Sequence, residues 1–236
     1  MKLDTSKIKF SNSDFKRNLI LPERLTPELA EETGLHIGDG SMNFYPKHKP
    51  FGGMYSLRGH IHDDKEHYET RIKEIYKFVF NLDIPMREMK ITSVYGFQMW
   101  TNGLVNFKHK ILNLPLGNKI NITIPKQFID NKYIIDVIRG IFDTDGCIYL
   151  AQRGGKLYPR IQIGTISKQL SEQLINSLLK LGFRATRVID IKRNENWNPL
   201  HTIYLRGDKM LKKWMETIAP NNQKFIAKFE YYLNNS

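Results

Sequence analysis

The sequence predicts an α+β protein built from two copies of one half-domain, each running helix, two strands, helix, two strands, helix. Three observations predict it. Two stretches, Thr33-Gly34-Leu35-His36-Ile37-Gly38-Asp39-Gly40 and Arg139-Gly140-Ile141-Phe142-Asp143-Thr144-Asp145-Gly146, each close an apolar helical run with Asp-Gly. Their last aspartates lie 106 positions apart, too long a period for a solenoid repeat and suited to a duplicated half-domain. The order of periodic segments that follows is the same after both.

Residues 1–25 form a polar, basic extension in which Phe10, Phe15, Leu19 and Ile20 are candidate docking points. The first half covers 26–114 and starts at Thr26-Pro27-Glu28, a helix entry with Thr as N-cap, Pro at the first helical position and an acid in the first turn. Residues 41–45 and 54–62 read as strands. Asp63 or Asp64 then caps an amphipathic helix carrying Tyr68, Ile72, Ile75, Tyr76, Val79 and Phe80 on one side. Residues 86–93 and 95–101 read as a strand pair turning near Tyr95-Gly96, before a short helix with Leu104, Phe107, Ile111 and Leu112.

A connector, 115–125, leads to the second half, 126–218. Tyr133, Ile134, Val137, Ile138, Ile141 and Phe142 define its first helix. Residues 147–152 and 160–166 follow as strands, and Ser167 caps a leucine-rich helix that Gly182 stops. Residues 183–191 and 202–206 are strands around a polar loop, 210–218 a helix, and 219–236 a further C-terminal helix after Pro220.

Lys and Arg number 36 against 24 Asp and Glu, a net charge of +12. That excess points to a polyanionic partner, nucleic acid before acidic membrane. The single Cys147 excludes an intrachain disulfide and fits a reducing compartment. The N-terminus has no signal-peptide core, and no run approaches the ~20 apolar residues of a membrane span. An intracellular protein, cytoplasmic or organellar and not secreted, is expected.

Gly34 and Gly38 are four apart and share a helix face; Gly140 and Thr144 repeat the spacing. Small residues so placed let two helix backbones approach closely. Packing of these helices would bring Asp39 and Asp145 together at two helix C-termini. Each terminus already carries about half a negative charge, and two facing carboxylates repel further. A divalent cation relieves that conflict. Mg²⁺ favours carboxylates, waters and phosphate oxygens, so two acids beside a basic surface suggest metal-assisted phosphodiester hydrolysis. Asp-Gly alone is a common turn dipeptide; two copies, each ending a small-residue helix, are not explained by turns. A competing motif, His60-Ile61-His62-Asp63-Asp64, partly mimics the H-x-H-x-D-H run of metallo-β-lactamase-type zinc hydrolases, but position 65 is Lys, and His36, His48, His67, His109 and His201 supply no second motif.

The paired stretches resemble the LAGLIDADG homing endonuclease family in its single-chain, two-motif form. The nine-residue signature falls on 32–40 and 138–146, and the first copy departs from it at Glu32, His36 and Ile37. The resemblance covers roughly 26–218. It implies αββαββα halves related by a pseudo-two-fold axis, motif helices packed at the centre and antiparallel sheets forming a DNA-binding saddle. It further implies Asp39 and Asp145 as catalytic metal-binding acids, with the backbone carbonyls of Gly38 and Thr144 as further ligands. Family members also place a Lys or Gln beside each metal; His62 (or His60) in the first half and Lys209 or Lys168 in the second are the candidates.

On that basis the DNA-binding residues are expected among Lys47, Lys49, Arg58, Arg87, Lys90, Arg153, Lys156, Arg160, Gln162, Arg184, Arg187, Lys192 and Arg193. The implied protein is a monomeric, Mg²⁺-dependent, intron-encoded or free-standing endonuclease acting on double-stranded DNA at a long asymmetric target. Alternatives within the fold are an RNA-splicing maturase, with intron RNA as partner, or a binding-only protein. Met1 and Asn235-Ser236 do not look like intein splicing residues.

Overall fold

The computed structural model describes residues 2–45, 52–190 and 197–236; the side chain of Arg153 also lies outside that description. A short helix α1 (Asn12–Lys16) precedes a first half made of α2 (Pro27–Asp39), β1 (Gly40–Tyr45), β2 (Gly52–His60), α3 (Lys65–His67), α4 (Lys73–Phe80), β3 (Arg87–Met89), β4 (Val94–Trp100) and α5 (Asn102–Asn106). A π-helical turn (Tyr68–Ile72) joins α3 to α4, and a second (Phe107–Ile111) extends α5. After α6 (Lys126–Ile129) come α7 (Ile134–Asp145), β5 (Gly146–Arg153), β6 (Lys156–Thr165), α8 (Lys168–Lys180), β7 (Ala185–Asp190), β8 (Leu200–Arg206) and α9 (Asp208–Thr217). Helix α10 (Gln223–Asn235) follows.

Each half carries a four-stranded antiparallel sheet, ordered β1-β2-β4-β3 and β5-β6-β8-β7. The registers correspond: Gly40 faces Leu57, and Gly146 faces Ile163. Alternation along the strands sends Tyr55, Leu57, Phe97 and Met99 into the first core, and Ile148, Ile161, Ile163, Ile203 and Leu205 into the second. The opposite face of each sheet stays open.

Helices α2 and α7 pack on each other along their small residues. A Cβ on Gly34 would fall on the Val137 carbonyl oxygen and within 2.9 Å of Gly140 Cα, and one on Gly140 would fall on the Glu31 carbonyl oxygen. At the next turn a Cβ on Gly38 would meet the Thr144 hydroxyl, which is folded back to donate to the carbonyls of Gly140 and Ile141 at 3.0 Å. The two backbones therefore touch, and any side chain would separate them.

Two of the first motif's departures, Glu32 and His36, are partnered parts of the interior. Glu32 and Lys108 form a fully buried ion pair, with Lys108 Nζ 2.6 Å from both carboxylate oxygens. Tyr76 donates to Glu32 at 2.6 Å, the Tyr76 and Tyr55 hydroxyls lie 2.7 Å apart, and Tyr55 reaches His36 Nδ1 at 3.3 Å. A polar chain thus runs from α5's extension to one turn before Asp39. Burial, and then the charges of Lys108 and Lys119, hold His36 neutral by driving its pKa well below the usual value.

Several expectations need correction. Gly96 is not in a turn but inside β4, because a Cβ there would strike the Leu57 carbonyl oxygen and its φ is +151°. The reversal instead uses a 3₁₀ turn (Lys90–Thr92) with Ser93 left-handed at φ 52°. Strand β2 ends at His60, since Asp64 accepts the His60 N–H at 2.8 Å and pulls the chain into a turn. Asp64 occupies the N-cap position of α3 without making a side-chain cap. In the extension, Leu19 is buried with Leu3, Ile8, Leu21 and Leu25, whereas Phe15 and Ile20 are exposed. The buried Asp14 carboxylate fastens the extension by accepting the N–H groups of Asn102 and Gly103, at 3.0 and 2.9 Å.

Candidate active site and nucleic-acid interface

The α2/α7 contact delivers Asp39 and Asp145 to one place. Each is the last residue of its helix, and each helix is closed by the following glycine, whose N–H reaches back to His36 or Phe142. An added Cβ on Gly38 would lie 3.3 Å from Asp145 Oδ2, so Asp145 rests against the other helix's terminus. Tyr68 donates to Asp39 Oδ2 at 2.8 Å.

Burial first, and the neighbouring Asp145 charge second, push the Asp39 carboxyl up to about 7, although Tyr68 and Lys119 oppose the shift. Burial also raises Asp145, opposed by the charges of Lys119 and Lys224. Lys119, from the connector, donates to the carbonyl oxygens of Ile37 (3.0 Å) and Gly38. Burial lowers its pKa while both aspartates raise it. Lys224, at the start of α10, is held by Asp64 at 2.6 Å, and Asn222 Nδ2 donates to the same Asp64 oxygen at 2.9 Å.

The cations beside the acids are therefore Lys119 and Lys224, not those expected. His62 is exposed and edge-on to His60; Lys168 is 71% exposed with Glu172 at 4.0 Å; Lys209 is exposed on α9, its field acting on Asp208. The two lysines hold matching places, 80 residues after Asp39 and 79 after Asp145, one in the connector and one at the start of α10. The 106-residue repeat therefore pairs the two lysines with each other, and the folding of the connector and α10 brings them to the acids.

The donor set fits a hard divalent cation. Two carboxylates and the Gly38 carbonyl are all oxygen ligands, and the carbonyl already attracts an ammonium. Among the described residues no three His, Cys, Asp or Glu side chains are grouped to hold a metal. Waters and phosphate oxygens would have to complete the shell, as Mg²⁺ prefers. As a ligand, Gly38 would share its carbonyl with Lys119.

The profile of the LAGLIDADG-like domain matches residues 132–219. The fold is shared with the homing endonuclease I-DmoI: 19% identity, 81% of this chain and 94% of that one, TM-score 0.57. I-DmoI in complex with DNA and Ca gives 19% identity, 81% and 88% coverage and a TM-score of 0.57. The second half thus matches the LAGLIDADG-like domain, and the whole fold is the one these homing endonucleases have. The LAGLIDADG homing endonuclease I-GzeII in complex with its DNA target shares the fold at 9% identity, 89% of both chains and a TM-score of 0.54. A curated relative, glutamine–fructose-6-phosphate aminotransferase (isomerizing) from Methanocaldococcus jannaschii, is 25% identical over 227 residues, 94% of this chain; the chain spans only 19% of that protein's length.

With α2 and α7 at the centre, each sheet leaves one face open, and several of the residues expected to bind DNA lie on these faces. Arg58 and Arg87 lie on the first, both opposite Gly96. Arg160 and Gln162 lie on the second, opposite Arg206 and Tyr204. Lys90, Lys156 and Arg184 are exposed at strand ends and turns. Arg187 is corrected: it points to the helix side, bonding Ser171 at 3.0 Å and Glu172 at 3.4 Å, because its neighbours in strand alternation face α8. Lys47, Lys49, Lys192, Arg193 and the Arg153 side chain lie outside the described residues. Tyr204 and Arg206 were missed, although they alternate with core Ile203 and Leu205 and a period of two would have found them.

The buried acid makes a pH prediction. Asp39 is raised in the folded state, so its contribution favours folding below about pH 4 and is lost as pH rises through about 7. In metal-free protein, Asp39→Asn should therefore be more stable than wild type at pH 8, by up to ~4 kcal/mol, with little difference at pH 4. His67, pushed down to about 4 by burial, has the opposite sign but is common to both proteins. Urea unfolding in EDTA at the two pH values measures the difference, and a gap independent of pH would contradict it.

Proposed function

We propose that this chain is a divalent-metal-dependent endonuclease that cuts both strands of a long, asymmetric DNA site. The carrying observation is the pair of buried acids, Asp39 and Asp145, brought together by touching LAGLIDADG helices between two open sheet faces. The net charge of +12 supports a polyanionic substrate. Relatives of the same fold are described in complex with DNA and Mn or Ca. The aminotransferase name belongs to a longer protein, of which this chain spans 19%.

Asp39 and Asp145, with the carbonyls of Gly38 and Thr144, would hold the cations, and Mg²⁺ is the first to test. The chemistry a divalent ion would supply there is a lower pKa for a bound water and screening of charge on the leaving oxygen. Tyr68 fixes the rotamer of Asp39 through its hydroxyl. Lys119 and Lys224 supply positive charge next to the reacting phosphates and lower the repulsion between the two acids. Because both acids come from one chain, a monomer suffices. Retention of both acids favours cleavage over a maturase or binding-only role; intron RNA remains the partner of that second reading.

Plasmid DNA carrying the joined sequences that flank the gene should be linearised in Mg²⁺ and left intact in EDTA. Affinity should fall by roughly 10³–10⁵ between 50 and 200 mM salt if six to ten phosphates are neutralised. Cleavage undiminished in EDTA would overturn the metal role, and a circular plasmid in Mg²⁺ the nuclease itself.

A further inference from the structure

The corresponding registers allow the two open faces to be compared row by row. The row across β1, β2 and β4 at Asn43, Met54 and Trp100 is equivalent to the row across β5, β6 and β8 at Tyr149, Arg160 and Arg206. The first is uncharged; the second holds two arginines. They are set on one ring, with Arg206 4.8 Å and Arg160 5.8 Å from the centroid of Tyr204, and Arg206 also donates to Thr186 at 3.2 Å.

The row level with the catalytic acids is reversed. In the first sheet Arg58 and Arg87 flank Gly96, and Arg58 is held by Gln98. The equivalent row in the second sheet is Gly164, Thr202 and Val188, with no charge. The arginine rows are thus displaced by four residues along the central strands, about 13 Å at ~3.3 Å per residue, or roughly four base pairs. Guanidinium groups held in a fixed orientation pair bidentately with the O6 and N7 of guanine in the major groove.

Resting on the DNA-cleavage function above, we infer that this chain reads guanines at unequal distances from the centre of its target. They lie next to the cleavage site in the half under β1–β4, and about four base pairs further out in the half under β5–β8. Strand tilt across the groove sets the exact step.

Selection from a randomised duplex library, with the full chain and Ca²⁺ in place of Mg²⁺, tests this. The selected sequences should show an inner guanine in one half and an outer guanine in the other. Replacing the outer guanine should weaken binding roughly tenfold or more. The Arg160→Ala, Arg206→Ala variant should lose the outer preference alone, and Arg58→Ala, Arg87→Ala the inner alone. Arg160→Lys with Arg206→Lys should keep salt-dependent affinity yet lose the outer guanine, which a misfolded protein could not do. Guanines at mirror-related positions, or preferences that survive all three variants, would overturn the arrangement while leaving DNA binding in place. Failure to enrich any sequence would overturn it together with the function on which it rests.

Discussion

Asparagine in place of Asp145 should lower double-strand cleavage on the order of 10³-fold while DNA affinity changes by only a few-fold. The substitution keeps the shape of the side chain and removes one of two negative charges that would hold the cation. Affinity should survive because, in the proposed complex, phosphate contacts spread over two sheets would dominate binding. Asp39→Asn should do the same for the other strand, so each single variant is a candidate nickase and the double variant inactive. Folding is not the confounder: both carboxyls are raised by burial, so losing a charge relieves strain at neutral pH. Strand-specific end labels, read with Mg²⁺ at saturating enzyme, separate the two events. Cleavage of both strands by the double variant would remove these residues from the mechanism.

Lys108→Met should destabilise the protein by ~3–5 kcal/mol, because it leaves the fully buried Glu32 carboxylate without its cation. Tyr76 still donates to it, but one neutral hydroxyl does not replace an ammonium placed on both oxygens. Removing both charges has a different effect. The combination Glu32→Leu, Lys108→Met, Tyr76→Phe restores an apolar residue at the signature position and leaves Tyr55 with His36 as a partner. It should recover most of the loss, since apolar replacements of a buried pair are often neutral or stabilising. Urea unfolding midpoints give both numbers. A single variant as stable as wild type would show that the pair is not desolvated as its burial requires.

Much of the fold was legible. Period-3.6 and period-2 patterns placed the long helices and most strands, and the small residues at Gly34, Gly38, Gly140 and Thr144 announced the helix contact that the structure contains. The strand pair after α4 was misread because Gly96 looks like turn punctuation, whereas it is a close-approach residue inside a strand. Arg187 was misassigned for a similar reason: composition marks it as basic, and only the pairing of β7 shows which way it faces.

The sequence by itself determined the duplication, the two motif helices and the identity of the paired acids, because these depend on local periodicity and on side-chain size along one helix face. Tertiary structure alone decided which cations stand beside Asp39 and Asp145. Lys119 and Lys224 are 80 and 79 residues from their respective motif acids, so the repeat pairs them with each other but does not say that they stand beside the acids. Only the folding of the connector and α10 over the central helices brings them there. The same holds for Glu32 and His36, which look like defects in a motif until Lys108, Tyr76 and Tyr55 close around them, since a buried charge is acceptable only with partners that no local pattern can specify.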